Sequence, residues 1–131
     1  MWLFTLNSFV SVVRHRDEPG KLLVRSRRRK DLVELLGTKM LKWLGPRWKK
    51  KIKEDLKADY RWRLIMPEKL FKAIVADYIT KRLSYGNFKA AQKLDPIFSN
   101  FLHTVWDEGY RMQTGELRGD LWGKLRSYYP T

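Results

Sequence analysis

Residues 59–67 read DYRWRLIMP. In an extended chain, Tyr60, Trp62, Leu64 and Met66 fall on one side, and Arg61, Arg63 and Ile65 on the other. A period of two marks a half-buried strand. The period then changes. From Pro67-Glu68 to about residue 83, Leu70, Phe71, Ile74, Val75 and Tyr78 recur at three and four, which predicts an amphipathic helix. A strand feeding a helix mid-chain decides the fold class once its flanks are read.

On the N-terminal side, WLFT (2–5) and FVSVVRHR (9–16) read as short strands joined by a tight turn at Asn7-Ser8. The run Asp17-Glu18-Pro19-Gly20 is a second turn, because Pro presets one dihedral and Gly tolerates the next. KLLVRSR (21–27) is a third strand, giving an antiparallel meander. Between it and the fourth strand lie helical patterns. KDLVELLG (30–37) carries Leu32, Leu35 and Leu36 on one face and stops at Gly37. Thr38 caps a further turn that Gly45-Pro46 ends. PRWKKKIKEDLK (46–57) fits an amphipathic helix with Trp48, Ile52 and Leu56 at four-residue spacing.

On the C-terminal side, SYGN (84–87) is a turn before a short helix, FKAAQK. Asp95-Pro96 opens a helix to about residue 113, with Phe98, Phe101, Leu102, Val105 and Trp106 on its apolar face. Strands first and helices later predict an α+β fold. We expect a small, mainly antiparallel sheet of about four strands, with helices on one face and a helical C-terminal half. The expectation is a single domain over 1–131, with a basic helical insert at about 38–57 and a loosely docked tail at 114–131. Such a sheet keeps its second face open.

Composition narrows the function. There are no cysteines, which excludes disulfides and thiolate metal sites and fits a cytoplasmic, intracellular setting. No apolar run reaches the length of a membrane span. The opening MWLFTLNSFVSVVRHR alternates like paired strands and is read as mature structure, not as a signal peptide. The formal net charge is +14. Residues 1–66 hold 18 Lys and Arg against 7 acids, whereas residues 67–131 hold 10 against 7. Solubility needs no such clustering, so the asymmetry points to a polyanionic partner.

The strand pattern says where that partner would sit. With Leu22 and Val24 turned to the helices, Lys21, Leu23, Arg25 and Arg27 turn away. So do Arg61 and Arg63 of the later strand. If the two strands are neighbours, four guanidiniums share one exposed face. Arginine suits this role, because its planar fork pairs with phosphate and stacks on bases. Arg28, Arg29 and Lys30 would prolong the face, and Lys49, Lys50, Lys51 and Lys53 would form a rim. Arg14 and Arg16 could extend it, but their strand carries valine on both faces, so its orientation is ambiguous. Trp43 and Trp48 either stack on unpaired bases or anchor the basic segment in the core, the commoner use of tryptophan. The function expected is a basic nucleic-acid-binding protein, favouring RNA or single strands and needing no cofactor. In architecture this resembles the open sheet of the RNA-recognition-motif family, without that family's aromatic signature on the central strands and with another element order.

The series WLFT, SVV, DE, VRSR, DL, DYRWR, YGNFK and HTVW, in that order, covers about three quarters of the chain. It resembles a group of small bacterial and phage proteins with the same beginning and spacing, and this resemblance implies no particular activity. The insert at 38–57 is peculiar to the present chain.

Two other functions fit parts of the sequence. The tail aromatics Trp122, Tyr128 and Tyr129 suit a protein–protein module, either a ribonucleoprotein subunit or a phage-encoded inhibitor of a host nucleic-acid enzyme. His15 beside Asp17 and Glu18 offers an imidazole and two carboxylates, as in a small metal-dependent nuclease, although DEPG is also an ordinary turn. His103, on the edge of a helical apolar face, reads as a half-buried histidine. A membrane surface ranks last, because one short basic helix at 46–57 would bind it weakly.

Overall fold

The computed structural model describes residues 1–83, 86, 90 and 93–115. The chain divides into two compact units, Met1–Leu94 and Asp95–Thr131. In the first, strands β1 (Trp2–Phe4), β2 (Phe9–Arg14) and β3 (Lys21–Ser26) form the expected meander. Helix α1 (Arg29–Leu44), a 3₁₀ turn (Pro46–Lys51) and the two-residue strand β4 (Lys53–Glu54) follow. Then come β5 (Trp62–Pro67) and helix α2 (Glu68–Arg82). The sheet order is β1-β2-β3-β5-β4, with every neighbour antiparallel. The fold is α+β, as the sequence predicts, with five strands instead of about four.

The core lies between one sheet face and the two helices. Val10, Val12, Leu22, Val24, Leu64 and Met66 meet Leu32, Leu35, Leu36 and Met40 of α1 and Leu70, Phe71 and Ile74 of α2. These are the residues that the two periodicities select. The first hairpin closes where the Thr5 amide donates to the Ser8 carbonyl at 2.8 Å. The next turn uses Gly20 at φ 76°, a left-handed conformation that glycine adopts without a steric penalty. The Gly20 carbonyl then accepts the Glu68 amide at 2.9 Å, tying the start of α2 to this turn.

Three local expectations are corrected. Helix α1 does not stop at Gly37; burial of Met40, one turn further on, carries it to Leu44. Residues 46–57 do not form one continuous amphipathic helix; only Pro46–Lys51 turns, as a 3₁₀ helix. Trp48 is 1 % exposed but Leu56 is 73 % exposed, so the supposed stripe is broken. The chain instead extends at β4, where Lys53 pairs with Arg63 and Glu54 with Trp62. Sheet hydrogen bonds thus prevail over local helical spacing. The third correction is Tyr60. It precedes β5, and its ring lies not with Trp62, Leu64 and Met66 but beside Phe9, at 6.3 Å, on the opposite face.

The second unit contains helix α3 (Pro96–Thr114). The expected entry is present: Asp95 Oδ1 accepts the Phe98 amide at 3.1 Å, and Pro96 takes the first turn. Gly115 ends the helix at φ 87°. The short helix expected at FKAAQK lies mostly outside the described residues, as does nearly all of the tail. No helix among the described residues is long and apolar enough to cross a membrane.

Candidate functional site

The site is built on the sheet face away from α1 and α2. The registers place Trp2 opposite Ser11, Ser11 opposite Arg25, Arg25 opposite Arg63, and Arg63 opposite Lys53. These five residues form one lateral row, one per strand, on the face that Val24 and Leu64 do not use. β3 and β5 are therefore neighbours, and Arg25 and Arg63 stand directly across from each other. The next row, Val13, Leu23 and Ile65, is apolar and partly exposed.

Each cation has its own surroundings. Arg25 Nη2 donates to Ser11 Oγ at 2.8 Å, and its guanidinium carbon lies 4.8 Å from the Tyr60 ring centroid. The Arg27 guanidinium carbon lies 4.8 Å from the same centroid, and its Nη1 donates to the Asp59 carbonyl at 3.0 Å. Tyr60, 6 % exposed, thus holds two guanidiniums by cation–π attraction. Arg63 Nε donates to the Tyr60 carbonyl at 3.4 Å. Among the described residues no carboxylate pairs with Arg25, Arg27 or Arg63. Arg61 differs: its Nε donates to Glu54 Oε1 at 2.7 Å, closing an ion pair.

Beside Arg63 the face opens into a groove of about 690 Å³. Leu23 and Ile65 line it together with the basic residues His15, Arg47, Lys50, Lys51, Lys53 and Arg63. The 3₁₀ turn positions three of these. Trp48 plugs into the core from the middle of that turn, which fixes its backbone and leaves Arg47, Lys50 and Lys51 on the rim. Lys49 is exposed on the same turn but does not line the groove.

The remaining sequence candidates fall elsewhere. Trp48, being core, has no ring face for a base, whereas Trp43 is exposed on α1. Arg28 does not prolong the face freely. Its Nη2 donates at 2.7 Å to Oδ1 of Asp31, which is 3 % exposed and whose Oδ2 accepts the Phe9 amide at 3.2 Å. Within the run RRRK, Arg28 therefore neutralises a buried acid at the first turn of α1. Arg29 and Lys30 are exposed in that same turn. Arg14 shares the parity of Val10 and Val12 and so belongs to the other face, where its Nη1 donates to Glu68 Oε2 at 2.9 Å. That hydrogen bond holds the Glu68 carboxyl below its ordinary value, against a smaller opposing push from burial. The hydrogen bond with Glu68 likewise raises Arg14.

His15 Nδ1 accepts the amides of Asp17 (3.1 Å) and Glu18 (3.0 Å). Its lone pair there is used to hold the turn, so the neutral ring carries its proton on Nε2. No group of three His, Cys, Asp or Glu residues placed to hold a metal occurs among the described residues. Trp122, Tyr128 and Tyr129 lie outside the described residues.

Sequence reading missed the aromatic end of this face. Phe4 stacks on Phe9 at 4.6 Å and 12°, and Trp2 meets Phe9 edge-on at 6.0 Å and 85°. The signal was available: a hairpin closed at residues 5–8 sets Phe4 opposite Phe9 and Trp2 opposite Ser11. Arg47 was missed too, because a helical reading gave it no face. No protein-family model, curated protein or solved structure matches this chain.

Proposed function

We propose that the unit Met1–Leu94 binds a nucleic-acid strand, RNA or other single strands, on the open face of its sheet. One observation carries this reading. Arg25 faces Arg63 directly across two strands with no carboxylate between them among the described residues. Like charges directly opposite each other destabilise a sheet. The groove adds Arg47, Lys50, Lys51 and Lys53 beside them. A polyanion laid on this face offsets the repulsion and releases its own condensed counterions. Arginine forks supply paired hydrogen bonds to phosphate oxygens, and the lysines act as mobile point charges along the rim.

The test is binding of a labelled single-stranded 12-mer across a salt series. Four or five phosphate contacts give a log–log slope of about −3 for a single strand. The combined variant Lys51→Gln, Lys53→Gln, Arg63→Gln reduces that slope by about 2 and weakens binding to unrelated sequences to the same degree. A flat salt response of the unaltered protein, or no binding at low salt, contradicts the reading.

A further inference from the structure

The row Trp2–Ser11–Arg25–Arg63–Lys53 has a polarity. Its aromatic member stands on the edge strand β1, and its three cations stand on β3, β5 and β4. At the ordinary inter-strand spacing, five strands span about 19 Å from edge to edge. Trp2 is 66 % exposed, and its ring is steadied by the edge-on contact with Phe9. A lone exposed tryptophan needs no explanation. One that shares a register row with three cations facing the same way has the layout of a single-strand site, in which an aromatic ring takes a base and the cations track the backbone.

We propose that a single strand crosses the sheet perpendicular to its strands, with one unpaired base stacked on Trp2 and the phosphates on its far side held by Arg63, Lys53 and the groove. This rests on the reading that the open face binds nucleic acid, and it adds a reason to prefer unpaired substrate. A duplex offers the same phosphates but keeps its base faces stacked on one another, so it uses the groove and not the tryptophan. Arg25 occupies the middle of the row. Its Nε is buried without a hydrogen bond among the described residues, and its Nη2 is tied to Ser11, so it serves as a fixed charge under the crossing strand.

Trp2→Ala and Trp2→Phe are compared with the unaltered protein for binding of a single-stranded oligonucleotide, the matching duplex and inorganic polyphosphate, which has charge and no bases. The expected result is a loss of about tenfold for the single strand in Trp2→Ala, the loss of one base–aromatic stack. Polyphosphate and duplex binding stay unchanged, and Trp2→Phe retains most of the affinity. Equal losses for all three ligands, or no loss for the single strand, overturn the assignment of Trp2. In that case salt-dependent polyphosphate binding by the unaltered protein still supports the polyanion reading. If the unaltered protein binds none of the three, both readings fall.

Discussion

Arg25 and Arg63 carry the account at the scale of single residues, because two like charges stand across from each other with no carboxylate among the described residues to offset them. Arg63→Glu turns the like pair into an opposite one. It is expected to stabilise the fold by roughly 0.2–1 kcal/mol while abolishing most strand binding, read by thermal unfolding and by anisotropy on the same preparations. A variant that loses stability along with binding would mean that Arg63 is structural. The outward direction of both arginines was legible in the sequence, since alternation against Val24 and Leu64 leaves them no other side. The fate of their neighbours was not. Arg61 finds Glu54 and Arg28 finds Asp31, and whether an acid a few positions away is within reach depends on turns that no periodicity encodes. Tyr60 was misplaced because the alternation of β5 was extended two residues past the start of the strand.

At the scale of elements, the meander, β5, α2 and the capped start of α3 follow from pattern and turn chemistry alone. The segment 37–57 does not. Glycine reads as a helix end, but Gly37 lies inside α1 because Leu36 and Met40 on either side of it are both buried. Added bulk at Gly37 meets no atom within 4 Å. Gly37→Ala is therefore expected to raise stability by about 0.5–1 kcal/mol, checked by urea denaturation with an unchanged m-value. A destabilised variant would mean that the helix is interrupted there after all. The following 3₁₀ turn was hidden for a different reason. Trp48 and Ile52 have helical spacing, but Trp48 is held by the core and Lys53 by the sheet edge, and both constraints are tertiary. This turn converts a lysine-rich stretch from a helical stripe into the wall of a groove.

At the scale of the whole chain, part of the charge excess of residues 1–66 gathers on one side of the sheet, where Arg25, Arg47, Lys50, Lys51, Lys53 and Arg63 lie. That face also holds an aromatic edge, while the opposite face is the core. The central claim is that this face, and not the outer surfaces of α1 and α2, meets the polyanion. Backbone amide shifts of the labelled protein, followed by NMR during titration with a short single-stranded oligonucleotide, test it most directly. The account predicts that the largest changes fall on Trp2, Ser11, Arg25, Lys50, Lys53 and Arg63, with the exposed sides of both helices silent. Shifts concentrated on α1 and α2 with the sheet unmoved would contradict it.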